Sequence, residues 1–495
     1  MGNYTRHHDT SVRNKLKIVE DEVLELKKQE FDLLTRLRLL QGTITRKRVL
    51  AGSLKNSLAL VSRLPNEILL ACFGQAVQDW VDKNDGADER KIAEMGHSNW
   101  EKDIDFKLPC TPIFAISHVS HDWRQLAIND PSLWTNLIIT PKFERHWDIF
   151  QDFLHRAKGI PIAAKFRSFG PDRTPSSAGI LLMEAIMSLL HAQKINELSF
   201  LASGPVCSVL LSRMVEQRPR SPPSVGFSRL TTLSIFSLEY SEVLTFSHLR
   251  QLLSVIPQLK TLELQPHESL SAADADKSVI ALPVLENLTI IDANPFACKL
   301  LDSLCAPNVR QLKLLIWDDW IPEVLDITSC LFMNNSNNLQ SGLRLPKFPG
   351  VRNLTLSSSA DYDNLNTNLI TAFSQVTHLT LGSPSLFYEI EEPSSPPPPT
   401  FQWLQHLTLD FSFDSIYLDL DSRSGFTWLQ KPQDQADRRP LLISVFDRSG
   451  LMEDANTHLF RYYKELQQYG EFDGSSSRLK EFMRWQADGE PEILG

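Results

Sequence analysis

The chain has 495 residues and a formal net charge of -10, with 50 Lys and Arg against 60 Asp and Glu. This length predicts two to four structural units rather than one core, and the acidic balance argues against nucleic acid as a partner, because non-specific binding needs a basic face. No apolar run approaches the roughly 18 residues of a membrane span, so we expect no membrane partner. The 6 cysteines are sparse and none forms a CxxC pair, which indicates a reduced protein in the cytosol, the nucleus or both.

An apolar heptad repeat follows residues 1–12, which we expect to be a disordered tail. From Leu16 to Val61, apolar residues are spaced alternately three and four apart, and only Glu30 and Lys47 interrupt the a and d positions. A heptad pattern sustained over more than six heptads predicts a coiled-coil-like helix over residues 13–61.

The partner of this apolar seam stays open at the level of sequence. Two copies could form a homodimer through residues 16–61, with Glu22 of one chain beside Lys27 of a parallel second chain. Alternatively, the helix folds back onto the region that follows it in the chain.

Two segments downstream share a helical pattern of apolar residues. These residues are Leu64, Ile68, Leu69 and Phe73 in the first segment, and Ile116, Val119, Trp123 and Leu126 in the second. Pro65 fits the first turn of a helix, because its φ is fixed and no N–H is needed there. Residues 78–108 are charged and turn-rich, which predicts a surface loop, and a second helix is expected over 112–127. A short extended segment should then end at Ile139.

The two segments together resemble the F-box, a three-helix module that docks on the Skp-type adaptor of cullin ubiquitin ligases. The resemblance covers residues 62–140, with 78–108 as an insertion, and it implies a Skp-type adaptor, and through it a cullin, as partners. It also implies eight adaptor-binding residues: Leu64, Pro65, Ile68, Leu69, Val119, Trp123, Leu126 and Trp134. Ser120 departs from the family pattern, which often has a cysteine at this position.

A phrase of the form apolar-x-x-Leu-x-apolar recurs through the second half of the chain. Its copies begin at Ile195, Leu230, Leu259, Leu285, Val309, Val351, Val376 and Leu404. The step from Val309 to Val351 is the longest, so either one repeat is long or a degenerate repeat lies near residues 343–345. The phrase resembles irregular leucine-rich repeats, which implies a solenoid over residues 141–437 with a parallel sheet and a concave face. Three of the return segments are predicted to be helical: 246–256, 296–305 and 365–373.

The alternation within each strand assigns the side chains of the concave face. This face is rich in hydroxyl groups, and we expect it to bind a target protein. The candidate target-binding residues are Glu263, Thr289, Lys313, Thr355, His378, His406 and Asp410. Threonine also suits strands by propensity alone, so a purely structural role stays open at most of these positions. Residues 389–399 should form a rim loop. Residues 438–495 should contain a last strand over 441–446 and two cap helices, over 455–469 and 476–485.

These patterns predict an α+β fold with a repeat α/β part: an N-terminal coiled-coil helix, a three-helix F-box-like module and a leucine-rich-repeat solenoid with a parallel sheet. No GxxxxGK[ST], GxGxxG, HExxH or GxSxG motif occurs, and no third ligand accompanies His118 and His121. We therefore expect no catalytic residues, no metal and no cofactor. The expected function is that of a substrate-recognition subunit of a Skp–cullin–F-box type ubiquitin ligase. The alternative is a non-catalytic leucine-rich-repeat scaffold that does not engage the ubiquitin machinery.

Overall fold

The chain divides into two compact units, Met1–Trp80 with Pro112–Asp130 and Val81–Thr111 with Pro131–Gly495. The computed structural model describes residues 4–58, 60–95, 111–139, 147–167, 194–201, 227, 229–236, 246–265, 279–291, 295–316, 330–332, 346–358, 372–382, 401, 403–410, 441–446 and 470–472, with a few single positions between them. Among the described helices, none is both long and apolar enough to cross a membrane.

A long helix, α1 (Tyr4–Leu58), begins the first unit. It starts at Tyr4, so the prediction of a disordered tail over residues 1–12 is wrong from that residue onward. The physical reason is that no proline or glycine lies between Gly2 and Gly42, so nothing in the sequence stops the helix from extending towards the N-terminus. Threonines on α1 donate hydroxyl hydrogen bonds to carbonyls four residues earlier, as Thr35 does to Phe31 at 2.9 Å.

The second helix, α2 (Asn66–Met95), follows a short 3-10 turn at Leu60–Arg63. It is much longer than predicted and makes helical the first part of the expected 78–108 surface loop; residues 96–108 lie outside the described chain. The apolar stripe of α2 continues into that segment at four-residue intervals, through buried Leu69, Phe73, Val77 and Val81. A stripe with helical spacing favours helix more strongly than the loop-like composition opposes it, and Gly86 alone does not stop the helix.

Two short helices replace the single helix expected over 112–127. They are α3 (Thr111–Val119) and α4 (His121–Asn129), and Ser120 lies between them. Ser120 has extended backbone angles, and its hydroxyl oxygen accepts a hydrogen bond from the backbone N–H of Trp123 at 3.1 Å. This is N-cap geometry, so the serine that departs from the F-box pattern is the residue that starts a new helix.

The described part of the second unit contains a parallel sheet of 12 strands. In chain order the strands and helices are β1 (Asn136–Ile139), α5 (Trp147–Arg156), β2 (Ile162–Arg167), β3 (Ile195–Leu201), β4 (Thr232–Phe236), α6 (Phe246–Ser254), β5 (Thr261–Leu264), β6 (Ile280–Ala281), β7 (Asn287–Ile291), α7 (Pro295–Ser303), β8 (Leu304–Cys305), β9 (Gln311–Ile316), β10 (Asn353–Ser358), β11 (His378–Leu381), β12 (His406–Asp410), β13 (Leu441–Phe446) and β14 (Gly470–Phe472). Strands β6 and β8 form a separate parallel pair, and the other strands join the sheet in chain order.

Successive repeats are held in register across the sheet. The second leucine of each repeated phrase lies beside its counterpart on the neighbouring strand, in one column of Leu198, Leu233, Leu262, Leu288, Leu312, Leu354, Leu379 and Leu407. All of these leucines are buried. The prediction of a parallel repeat sheet with one continuous leucine column is therefore confirmed. Helices α6 and α7 occupy two of the three predicted helical returns, and most of the third lies outside the described residues.

The sheet extends beyond the predicted repeats at both ends. Its first strand is β1, which pairs with β2 and so places residues 136–139, assigned from the sequence to the F-box-like region, within the sheet. At the other end, β14 pairs with β13 inside the segment predicted to form cap helices. A Cβ at Gly470 would overlap the carbonyl oxygen of Leu441, so a glycine permits this closest approach. Most of the residues predicted as cap helices lie outside the described chain.

The 42-residue step between Val309 and Val351 is a single long repeat, because β9 pairs directly with β10. Lys347 lies within this repeat and is buried. Its Nζ donates to the backbone carbonyls of Leu301 at 2.7 Å and Asp302 at 2.5 Å, at the C-terminus of α7. A cation there satisfies carbonyls that no helical N–H reaches.

A recurrent turn precedes the strands. In each of seven repeats the backbone N–H of the phrase's first apolar residue donates to the carbonyl three residues earlier, as Leu259 does to Ile256 at 3.3 Å. The accepting residues are Phe227, Ile256, Leu282, Ala306, Phe348, Phe373 and Phe401, and all are buried. Proline occupies the second turn position at Pro257, Pro283, Pro307 and Pro349, which suits the fixed φ of that position. The repeat therefore has an upstream apolar anchor that the sequence phrase did not include.

Candidate interaction surfaces

Exposed apolar side chains of the helical unit lie at the start of α2 and the end of α3. Leu64 is 40% exposed, Ile68 is 50% exposed and Val119 is 50% exposed. Pro65 is also exposed, and its carbonyl accepts hydrogen bonds from the N–H groups of Ile68 and Leu69 at 3.1 Å. Four of the eight predicted adaptor contacts are thus accessible to a partner.

Other predicted adaptor residues contribute to the core of the helical unit. The rings of Phe73 on α2 and Trp123 on α4 have centroids 4.8 Å apart, which fixes these two helices together. Trp123 and Leu126 are half-buried, and Leu69 is buried. Leu69 therefore stabilises the unit and presents little surface to a partner.

Trp134 has a different role from the one predicted for it. It belongs to the second unit, where a 3-10 turn at Pro131–Trp134 leads into β1, and it is 2% exposed. Its ring packs edge-on against Phe153 of α5 at 5.4 Å, and the guanidinium of Arg156 lies 4.6 Å from the ring centroid. The prediction that Trp134 contacts an adaptor is incompatible with this burial, because a side chain that is 2% exposed offers almost no area to a partner.

The second surface is the polar face of the sheet, defined by the residues that alternate with the buried leucines. The register brings four predicted target-binding residues into one row, with Glu263 beside Thr289, Thr289 beside Lys313, and Lys313 beside Thr355. All four are half-buried. The hydroxyl of Ser234 donates to Oε2 of Glu263 at 2.8 Å, which orients the carboxylate from the neighbouring strand.

Two histidines stack in the adjacent row of the polar face. The rings of His378 on β11 and His406 on β12 have centroids 4.4 Å apart and an interplanar angle of 8°. Burial lowers the pKa of His378 from its usual value of 6.5, and the charge of His406 lowers that pKa further. Thr377 Oγ1 lies 2.9 Å from Nδ1 of His378. His378 is therefore biased towards its neutral form. The backbone of Asp410 pairs with Phe446 at the far end of β12, and its side chain lies outside the described residues.

Sequence reasoning missed a row of charged residues at the N-terminal ends of the strands. Each occupies the first x of the repeated phrase, and the row contains exposed Lys260, Glu286, Arg310 and Arg352. Their backbones are linked from strand to strand, since the N–H of Arg310 donates to the Glu286 carbonyl at 2.8 Å and that of Arg352 to the Arg310 carbonyl at 2.8 Å. Lys260 and Glu286 also form an ion pair at 3.9 Å. The signal was visible in the phrase, where this position is charged in four of the eight copies.

Within the described residues, no group of three or more His, Cys, Asp or Glu side chains is arranged to hold a metal ion. The stacked histidines supply two imidazoles, fewer than the three protein ligands usual even in an open catalytic zinc site. The chemistry that these surfaces offer is hydrogen bonding, ion pairing and apolar contact with a partner.

Comparisons with known proteins do not assign a family. No protein-family model matches the chain, and no curated protein matches it. Among solved structures, the chain is similar to a protein from Bacteroides fragilis, a Northeast Structural Genomics Consortium target, with 14% identity and a TM-score of 0.35 over 67% of this chain and 82% of that one. The function is therefore argued from the chain's own surfaces.

Proposed function

We propose that the protein is the substrate-recognition subunit of a Skp–cullin–F-box type ubiquitin ligase, acting in the cytosol or the nucleus. In this proposal the helical unit binds a Skp-type adaptor, and the polar face of the leucine-rich-repeat sheet binds a target protein. The chain performs no chemistry itself. It brings target lysines close to a ubiquitin-charged enzyme held by other subunits, so its contribution is proximity.

The observation that carries the proposal is the exposure of three large apolar side chains, those of Leu64, Ile68 and Val119. A large apolar side chain at the start of a helix normally packs inward, and three exposed at the ends of α2 and α3 indicate a surface that a partner covers. The same positions are those that the F-box resemblance assigns to the adaptor. The contact between the rings of Phe73 and Trp123 holds α2 and α4 together.

The polar face supports target binding because its side chains project from strands that are held in register. The row from Glu263 to Thr355 spans four strands and carries one carboxylate and one ammonium group on a hydroxyl-rich background. Rigid strands place these groups at fixed spacing, which favours specific recognition over adaptable contact. The charged row at the strand starts adds groups that can attract and orient a protein partner.

Adaptor binding is tested with Leu64 and Ile68 replaced together by Ala. Exposed anchors of this kind each contribute about 1–2 kcal/mol, so the double variant should bind a purified Skp-type adaptor at least about 30-fold more weakly by calorimetry. The matched control is Leu24→Ala with Val49→Ala, which removes two exposed apolar side chains of α1 away from the proposed adaptor contacts. Absence of adaptor binding by the unaltered chain at micromolar concentration would reject the ligase proposal and favour the scaffold.

Target binding is tested by reversing Glu263 and Lys313 together. Cross-linked partners of the unaltered chain, identified by mass spectrometry, should be lost from this variant while adaptor binding is unchanged. Reversal of Glu25 and Lys28 on α1 changes the same charges elsewhere and serves as the control. Retention of every partner by the Glu263 and Lys313 variant would place the target site on another surface.

A further inference from the structure

The heptad seam of α1 is exposed along its length. Leu26 is 63% exposed and Leu33 is 64% exposed. The other apolar seam residues from residue 16 to 44 are exposed as well: Leu16, Val19, Val23, Leu37, Leu40 and Ile44. In the described part of the chain the helix therefore does not fold back onto its own unit through this seam. An apolar row interrupted only by Glu30 and Lys47 on a helix of 55 residues is more than a monomer ordinarily leaves in water.

The two polar seam positions constrain what can cover it. Glu30 occupies an a position and Lys47 a d position, and both are exposed. In a parallel pair of α1 helices, a faces a and d faces d. Glu30 would then face Glu30 of the second copy, and Lys47 would face Lys47. Two like-charged layers in a desolvated seam oppose that arrangement, and the Glu22–Lys27 surface pair offsets little of the penalty.

An antiparallel pair places a positions against d positions, and one register joins Glu30 of each copy to Lys47 of the other. In that register all the other seam layers are apolar, with Val23 opposite Leu54, Leu26 opposite Ala51, Leu33 opposite Ile44 and Leu37 opposite Leu40. Shifting the copies by one heptad instead puts Glu30 against Leu40 and Lys47 against Val23. The polar residues thus select one register as well as one orientation.

The wider charge pattern of α1 agrees with this register. Residues 20–32 contain six acidic and two basic side chains, whereas residues 45–57, which would lie opposite, contain four basic and no acidic side chains. The e positions flanking the seam add one attractive contact, Glu20 with Lys55, and one repulsive contact, Lys27 with Arg48. The attractive and repulsive contacts at the e positions therefore roughly cancel, and the Glu30–Lys47 pairs in the seam determine the orientation.

We propose that two copies of this chain associate through antiparallel α1 helices, with Glu30 of each copy paired to Lys47 of the other. The overlap runs over residues 19–58 and is about 60 Å long at 1.5 Å per residue. With a helix diameter of about 10 Å, the two faces bury on the order of 1,200 Å², which reaches the range of stable, specific interfaces. This inference does not depend on the proposed ubiquitin-ligase function.

Charge exchange in the full-length chain tests the proposal by light scattering and sedimentation equilibrium. The unaltered chain should have twice the 56.3 kDa mass of one copy. Glu30→Lys alone, or Lys47→Glu alone, creates two like-charged layers and should raise the dimer Kd at least about 100-fold. The double variant E30K/K47E restores both pairs and should return the Kd to within about threefold of the original.

Mixing the two single variants separates lost pairing from lost folding. Each layer of the mixed dimer joins Lys to Glu, so an equimolar mixture should recover the dimer mass, which misfolded chains could not do. The controls Glu25→Lys and Lys28→Glu make the same changes outside the seam and should leave the Kd unchanged. A monomeric unaltered chain at tens of micromolar would overturn the dimer. Single variants that dimerise normally would overturn the antiparallel register, because a parallel pair exchanges one like-charged layer for another.

Discussion

Replacing Leu312 by Ala should destabilise the sheet by about 3–5 kcal/mol. Leu312 is fully buried in the middle of the leucine column, between Leu288 on β7 and Leu354 on β10. Loss of three carbon groups removes about 2.4 kcal/mol of burial free energy, and the cavity adds more because both neighbours are fixed in strands. Urea unfolding followed by far-ultraviolet circular dichroism measures the change as a lower midpoint at constant slope.

Lys313→Ala is the matched control, because it alters the next residue of the same strand on the opposite face. It should change the free energy of unfolding by less than about 1 kcal/mol, as substitutions away from the core usually do. The reasoning would be refuted if Leu312→Ala cost less than about 1 kcal/mol, or if both variants cost the same. Either result would mean that the leucine column is not the side of the sheet that holds the repeats together.

Three further predictions concern other parts of the second unit. Gly470→Ala should detach β14, because the added methyl group overlaps the Leu441 carbonyl, and amide hydrogen exchange over residues 470–472 should accelerate to that of an unpaired segment; unchanged protection would contradict this. Burial lowers the pKa of Lys347, so the unfolded chain binds its proton more tightly, and stability should rise with pH between the lowered value and 10.5. Lys347→Met should remove that component, and equal pH slopes for the two proteins below pH 10.5 would contradict the lowered pKa of Lys347. His406→Gln should raise the pKa of His378 towards 6.5 by removing the weaker of its two causes, which proton NMR titration measures; a static or lower pKa would exclude His406 as a cause.

The repeat sheet could be predicted from the sequence because its signal is redundant. The phrase recurs many times, and each copy alternates leucine with polar residues at the period of a strand, so errors at one copy do not change the pattern. The charged row led by Lys260 and Arg310 was missed because its meaning depends on register between strands, which only the hydrogen-bonded sheet supplies.

The helical unit was less predictable because single residues decide its boundaries. Ser120 ends one helix and caps the next, but a serine between two apolar segments is also common within a helix, so the pattern alone predicted one continuous helix. Residues 78–95 have the composition of a loop, but the buried stripe of α2 continues through Val77 to Val81 and favours a helix there. Trp134 follows the helices in sequence but packs against α5 of the second unit, a long-range contact that local periodicity does not encode.

The in-register sheet also has a defined length, against which the length of a bound partner segment can be measured. Neighbouring strands lie about 4.8 Å apart, so the 12 strands measure about 53 Å from first to last along the direction of their hydrogen bonds. An extended peptide that crossed every strand would need about 15 residues to cover this length. A shorter partner segment can contact only a subset of strands. Substitutions on successive strands would then locate the bound segment. The first and the last strand at which a substitution weakens binding mark its two ends, and the distance between those strands gives its length.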